Sequence, residues 1–159
     1  MKAAITPAKV CQVLLTLTLI CIASPALAKG GQGVGIGIGQ GTGVLGLSLK
    51  AHKGPTAVQL VVGRWDGASD IGAEIDALAE FPTPLQTRLL GVDMNAGVGV
   101  AFGVGSPLQA AASPVLGLEL NLVPVPIDIV IEYRPRLDII PDIEFDPYGF
   151  GAHVRVYLF

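Results

Sequence analysis

The chain lacks several features on which common classes of protein depend. Its two cysteines, Cys11 and Cys21, both lie near the start, so the remainder has no disulfide and no thiol chemistry. Ile20 stands where a lipid-attachment signal requires a small residue before the cysteine, so we expect no lipid anchor at Cys21. Aromatic residues make up only 6% of the chain, which leaves few side chains for the aromatic girdles of a membrane protein.

The first 28 residues have the pattern of a removable leader. Lys2 and Lys9 are basic, residues 13–23 are apolar, and a small-x-small cleavage site ends at Ala28. The apolar segment is too short to span a bilayer as a helix. We predict a signal peptide over residues 1–28, cleaved after Ala28, and a single domain over residues 29–159.

Basic residues and long apolar runs are also scarce after the leader. Of the 10 basic residues, Lys2 and Lys9 fall in the leader, so 8 remain against 13 acidic residues. This balance argues against nucleic-acid binding, which requires a basic stripe. Mean hydropathy is high, +0.62, yet no apolar run of about 18 residues follows the leader, which excludes helical spans. An alternating membrane barrel and a soluble sandwich with an apolar core remain.

Apolar and polar residues alternate with period two throughout the domain, which indicates β-strands. We find eight such runs, and eight is the smallest strand number of bacterial outer-membrane barrels. The sequence therefore predicts an all-β fold, an eight-stranded antiparallel up-and-down barrel of the transmembrane type. The runs cover residues 33–39, 45–52, 56–65, 71–81, 90–103, 116–122, 127–134 and 149–159.

The predicted connections alternate between short turns and longer loops. Pro82-Thr83-Pro84 is expected to end the fourth strand, because proline cannot donate to a sheet ladder. Residues 106–114 are small and polar and predict a loop, and residues 136–147 form the longest and most acidic connection. Short turns on the periplasmic side and longer loops outside are typical of outer-membrane barrels.

The two faces of the strands differ in a way that indicates an inverted barrel. One face is almost purely aliphatic, whereas the other mixes glycine with charges of both signs. Glycine inside a narrow barrel leaves room for long charged side chains, which must pair when water is excluded. We predict a structural interior charge network made of Lys50, Glu74, Asp76, Glu119, Asp128, Glu132, Arg134 and Arg155, with Glu80 on the same face.

Several stretches resemble a family of small bacterial outer-membrane β-barrel proteins without an assigned activity. They are the glycine-aliphatic strand 33–39 with its Gly-Thr-Gly turn, the acidic strand around Asp76, the stretch from Pro126 through Glu132 to Pro141, and the terminal Phe159. The resemblance covers nearly the whole domain and implies an eight-stranded barrel that ends on phenylalanine.

The predicted closing strand contains an ambiguity of register. Phe159 and Tyr157 agree with the alternation of assembly-competent outer-membrane strands, but Arg155 and His153 occupy the next two positions of that face. Either a bulge resets the register near Tyr157, or Phe159 does not face lipid. A slip of one residue inverts both faces of a strand.

No residue pattern predicts catalysis. Ser48 shares a face with His52, but four residues of strand separate them by about 13 Å, beyond hydrogen-bond reach. The acidic connection lacks the Asp-x-Asp-x-Asp-Gly spacing of a calcium loop, so we expect it to be solvated. Trp65 and Tyr133, at strand ends, are candidates for interface anchors.

These observations predict a small outer-membrane protein with a structural or surface-interaction role, a plugged polar interior and no enzymatic activity. Its expected partners are outer-membrane lipid and the barrel-assembly machinery, without nucleic acid, cofactor or metal, and a monomer is expected. Two alternatives remain open. One is a secreted soluble barrel or sandwich that binds an apolar ligand, and the other is a narrow ion-conducting pore.

Overall fold

The computed structural model describes residues 33–66, 70–123 and 125–158. The predicted leader with its cleavage site, and the terminal Phe159, lie outside the described residues. The strands are β1 (Val34–Gln40), β2 (Val44–Lys53), β3 (Thr56–Trp65), β4 (Ile71–Gln86), β5 (Leu90–Val104), β6 (Gln109–Leu122), β7 (Ile127–Tyr133), β8 (Arg136–Ile140), β9 (Glu144–Asp146) and β10 (Phe150–Leu158). Within the described ranges, no helix is long and apolar enough to cross a membrane.

Eight of the strands close into a barrel. Each of β1 to β6 pairs antiparallel with the next strand, and β10 closes the ring between β7 and β1. The prediction of an all-β, eight-stranded, antiparallel up-and-down barrel is therefore confirmed. We call the end with the β2–β3, β4–β5 and β6–β7 connections the turn end, and the opposite end the loop end.

Alternation along the strands separates an aliphatic outside from a polar inside. In β10 the residues alternate strictly between exposed and buried from Phe150 to Leu158. Ile38 is 71% exposed and Ile131 57%, whereas Lys50 and Arg155 are completely buried. Two small apolar clusters share the interior with these charges. One surrounds Trp65 at the loop end, and the other consists of Ala57, Leu78 and Val115.

Glycine is required where β2 and β3 approach closely. Gly46 lies opposite Gly63, and a Cβ on Gly46 would stand 2.1 Å from the carbonyl oxygen of Val62. Elsewhere glycine makes room for large inward side chains, because a Cβ on Gly39 would stand 2.0 Å from Nδ1 of His153. The glycine face of the first strands therefore accommodates side chains that come from other strands.

Two predicted boundaries are wrong. Residues 82–84 do not end β4, which continues to Gln86 with a shift of register between Pro82 and Gln86. The Thr83 hydroxyl donates to the Val92 carbonyl at 2.5 Å, which replaces ladder bonds that prolines cannot supply. Residues 109–114 belong to β6 instead of a loop, because this alanine-rich segment pairs with both β5 and β8.

The predicted acidic connection contains a β-hairpin. Its strands β8 and β9 pair with each other, and β8 also pairs with the first residues of β6. The hairpin is thus an extension of the barrel wall at the loop end.

The register of the closing strand follows its aliphatic face. Within β10 the alternation is unbroken, so no bulge resets the register near Tyr157. Tyr157 points inward and is 5% exposed, with His153 and Arg155 on the same side. Trp65 is also inside the barrel, at 1% exposure, so its predicted role as an interface anchor is wrong, while Tyr133 is 39% exposed.

The close approach at Gly46 generates a prediction. Gly46→Val should destabilise the barrel by about 3 kcal/mol, because the new side chain overlaps the β3 backbone. The measurement is the free energy of unfolding in urea, followed by gel migration. Ala51→Val, on the exposed face of the same strand, should remain near the parent, and equal stability of the two variants would contradict the register described above.

Candidate functional site

The barrel interior contains the buried charged side chains of the described residues, and all eight predicted residues lie in it. Each has at most 1% of its surface exposed. They come from β2, β4, β6, β7 and β10, with Arg134 directly after β7. Alternation places them inside because each strand turns every second residue away from the aliphatic face.

Arg134 organises the loop-end half of the interior. Its Nη2 lies 2.7 Å from Oδ2 of Asp76, its Nε lies 2.7 Å from Oε2 of Glu132, and Nη1 pairs with Glu74. The backbone N–H of Thr42 donates to Oε2 of Glu74 at 2.5 Å. One guanidinium therefore holds three carboxylates, since its fork of donors can serve several acceptors at once.

Arg155 and Asp128 form the central pair. The Nη2 of Arg155 lies 2.9 Å from Oδ2 of Asp128, and its Nη1 donates to the side-chain oxygen Oε1 of Gln59. Tyr157 donates its hydroxyl to Oδ2 of Asp128 at 2.8 Å, and its oxygen lies 3.0 Å from Nε2 of His52. The inward Tyr157 is thus part of the interior network.

Lys50 spans the lumen in the turn-end half. Its Nζ lies 2.8 Å from Oε1 of Glu80 and pairs also with Glu119. Because Lys50 is on β2 and Glu119 on β6, four strands apart in a ring of eight, this ion pair crosses the barrel. Nearby, Asp93 accepts from the Asn121 amide at 2.9 Å.

Carboxylates outnumber cations in this interior. The buried charged residues include three cations, Lys50, Arg134 and Arg155, against seven carboxylates, Glu74, Asp76, Glu80, Asp93, Glu119, Asp128 and Glu132. Sharing of Arg134 and Lys50 among several carboxylates compensates part of the imbalance. Several buried polar atoms have no hydrogen-bond partner in the protein, among them both side-chain amide atoms of Asn95, Oε1 of Glu119 and Nε1 of Trp65. No group of three or more His, Cys, Asp or Glu residues in the described ranges is arranged to hold a metal ion.

Sequence reasoning missed a relay of Ser48, His153 and Glu132. The Ser48 hydroxyl lies 3.1 Å from Nδ1 of His153, whose Nε2 lies 2.9 Å from Oε2 of Glu132. With the proton on Nε2, the ring would donate to Glu132 and accept from Ser48, which is the order of a hydrolase triad. Alternation within one strand relates Ser48 only to His52. His153 lies 105 residues from Ser48 in the sequence and comes near it only because β10 closes the barrel against β1.

The relay is closed to substrates. Ser48 and Glu132 have no exposed surface and His153 has 1%. Glu132 is also bound by Arg134, and Gln59 lies 3.3 Å from Nε2 of His153. These contacts make the relay a continuation of the structural network.

A small open cleft of about 180 Å³ lies at the loop end. Arg134 lines it, but the contacts described above already occupy its Nε, Nη1 and Nη2. Arg136, also in the lining, binds both carboxylate oxygens of Asp66 at 3.0 and 2.9 Å and stacks over Trp65, with 5.8 Å to the ring centroid. The charged groups that line the cleft are therefore already engaged in ion pairs with other residues of the chain.

Comparison of the chain with protein-family models, with curated proteins and with solved structures gave no match. The geometry defines a class of protein, a closed eight-stranded barrel with an aliphatic exterior and an interior filled by paired charges. The functional conclusion rests on these two surfaces.

The lumen-spanning pair generates a stability prediction. Lys50→Met should lower the free energy of unfolding by about 3–5 kcal/mol, because Glu80 and Glu119 would stay buried without a cation. Lys53→Met, on the exposed end of the same strand, should change it by less than about 0.5 kcal/mol. Adding Glu119→Gln to Lys50→Met should restore part of the loss in urea titrations, and an unchanged Lys50→Met variant would contradict the pairing.

The buried relay generates a reactivity prediction. A fluorophosphonate probe should leave the folded protein unlabelled, because Ser48 is inaccessible. Mass spectrometry of the protein after incubation is the measurement. Labelling that disappears in Ser48→Ala but persists in the loop variant Ser106→Ala would instead reveal an accessible acyl-transfer site.

Proposed function

We propose that this protein is a small outer-membrane β-barrel with a structural or surface-interaction role, exported by a signal peptide cleaved after Ala28. The observation that carries the proposal is the inverted polarity of the barrel. Its charged residues fill the inside, and its aliphatic residues cover the outside. A water-soluble barrel of this size has its aliphatic residues inside and its charged residues on the surface.

The aliphatic exterior supports a lipid environment. Exposed large apolar residues occur on all eight barrel strands, including Ile36, Leu47, Val62, Ile75, Val100, Leu118, Ile131 and Val156. Soluble monomers rarely expose a contiguous apolar patch larger than a few hundred Å². A bilayer satisfies such a surface, and a closed barrel leaves no unpaired strand edge within the hydrocarbon.

The arrangement of the ends also supports this reading. Val34 of β1 pairs with Leu158 of β10, so both ends of the described barrel lie at the turn end. The exposed charges there, Lys53 and Arg88, are basic, whereas the hairpin at the loop end carries Asp142, Glu144 and Asp146. We assign the turn end to the periplasm and the loop end to the outside, as is usual for such barrels.

The filled interior favours a plugged barrel over the two alternatives. An apolar ligand would have to displace paired charges, which is unfavourable because each freed charge would remain buried. Ion conduction would require the Lys50–Glu119 pair, which crosses the lumen, to open. Outer-membrane lipid and the barrel-assembly machinery are the partners that we propose for a monomeric barrel, without nucleic acid or cofactor.

Membrane residence is tested directly by fractionation. The protein should appear in the outer-membrane fraction, require detergent for extraction, and migrate differently on gels with and without heating. Recovery from the soluble periplasmic fraction without detergent would overturn the proposal.

A charge on the exterior gives a second, residue-level test. Ile75→Arg, on the exposed face of β4 opposite Leu60 in the middle of β3, should weaken folding into vesicles by about 2–4 kcal/mol, because arginine would enter the hydrocarbon. Leu89→Arg, in the β4–β5 turn, should have an effect below about 1 kcal/mol. For a soluble barrel, both substitutions would be neutral, so equal folding of the two variants in vesicle titrations would contradict the membrane location.

A further inference from the structure

The β8–β9 hairpin is an element that the barrel does not need for closure. One edge of β8 pairs with β6 and the other with β9, while β9 forms the end of the sheet among the described strands. We call this hairpin, residues 136–146, the flap, because it extends from the barrel wall at β6 and has a free outer edge at β9.

The hairpin has two faces of opposite character. Asp138 lies opposite Glu144, and Arg136 lies opposite Asp146, so one face is fully charged. Between these pairs, Leu137 lies opposite Phe145 and turns to the other side. In a strand pair of only three positions, this strict separation makes the hairpin amphipathic.

The charged face is directed toward the mouth of the barrel. Arg136 stacks over the buried Trp65 and binds Asp66 of the β3–β4 loop. It also holds Asp138 at 2.9 Å on its own strand. These contacts connect the flap to the opposite side of the mouth and fix which face points outward.

The apolar face continues the aliphatic surface of the barrel. Leu137 pairs with Ala112 of β6, and Ala112 pairs with the exposed Val100 of β5. Because Leu137 pairs in turn with Phe145, the outward side chains of Val100, Ala112, Leu137 and Phe145 form one row from the barrel wall onto the hairpin. Phe145 is 49% exposed. At the hairpin tip, Ile143 is 83% exposed.

Aromatic residues accompany this surface at the loop end. Tyr133 and Phe150, both exposed, contact each other with ring centroids 5.7 Å apart, and Tyr148 is 80% exposed. Aromatic side chains are favoured at the level of lipid headgroups, where one end of the ring is apolar and the other wet.

The outer edge of β9 limits how deep the flap can lie. A strand edge with unpaired backbone groups cannot enter hydrocarbon, where each unsatisfied group is destabilising by several kcal/mol. The carboxylates of Glu144 and Asp146 also require water. The headgroup region is the one layer that satisfies the apolar face, the charged face and the edge together.

We propose that the β8–β9 hairpin is a lipid-contacting flap, whose Leu137–Phe145 face rests against the headgroup region of the outer leaflet. Its charged face covers the mouth of the barrel. This inference rests on the proposed membrane location and goes beyond it, because a membrane barrel could equally hold its loop-end hairpin free in water or against a protein partner.

Spin labels at single cysteines test whether the apolar face of the flap contacts lipid. The exported protein carries Phe145→Cys on the apolar face, Glu144→Cys on the charged face as a matched neighbour, or Ile75→Cys on the barrel wall. Each is labelled and folded into phosphatidylcholine–phosphatidylglycerol vesicles. Intact mass must show one label per chain, and the heat-dependent gel shift must show folding. Ile143→Cys is a second flap position should Phe145→Cys fail to fold.

The measurement is the ratio of label collisions with oxygen, which concentrates in lipid, to collisions with a water-soluble nickel complex. We expect a ratio several-fold higher at position 145 than at 144, and lower at 145 than at 75. Equal values at 145 and 144, with a high value at 75, would overturn the flap and leave the membrane barrel intact. If the label at position 145 were shielded from both oxygen and the nickel complex, lipid contact by the flap would be overturned. Contact with a second copy of the chain would then be indicated.

A low ratio at position 75 as well would overturn the membrane location itself. The Ile75→Cys label thus separates failure of the proposed function from failure of the flap.

Discussion

The requirement that buried charges be paired is the constraint on which the rest of this structure depends. Three cations and seven carboxylates lie in a narrow lumen, and each cation is placed where it meets carboxylates from other strands. Arg134 collects three of them at the loop end, and Lys50 reaches across the barrel at the turn end. Glycine at inward positions of β5 and β10 follows from the same requirement, because a Cβ on Gly99 would meet Asp76 and a Cβ on Gly151 would meet Arg134. The exterior can then be aliphatic almost without exception.

Most of the fold follows from period-two alternation, which is a local property of the chain. It predicts the number of barrel strands, their direction, and the inward position of residues such as Glu74 and Arg155, since a strand turns successive side chains to opposite faces. It cannot place residues 82–86 and 109–114, because these segments keep strand geometry through side-chain bonds and through pairing with a hairpin. From their composition alone, both segments are predicted to be loops.

Contacts between strands that are distant in the sequence could not be predicted from it. The eight interior residues could be named from their face, but the partner of each depends on the order and stagger of strands around the ring. The relay of Ser48, His153 and Glu132 is the clearest case, since its first two members are 105 residues apart and meet only when β10 closes on β1. A histidine facing the polar side of the last strand was the available signal. The flap was hidden for a related reason, because two short strands in an acidic segment show too few alternations to be distinguished from a loop.

The position of Trp65 has a practical consequence. It is the only tryptophan of the chain, and it lies inside the barrel beneath the guanidinium of Arg136. A cation over the ring and the exclusion of water both alter the emission of an indole. The protein therefore contains its own optical reporter at one end of the barrel. Its spectrum should therefore report whether the hairpin residue Arg136 lies over the ring at this end of the barrel.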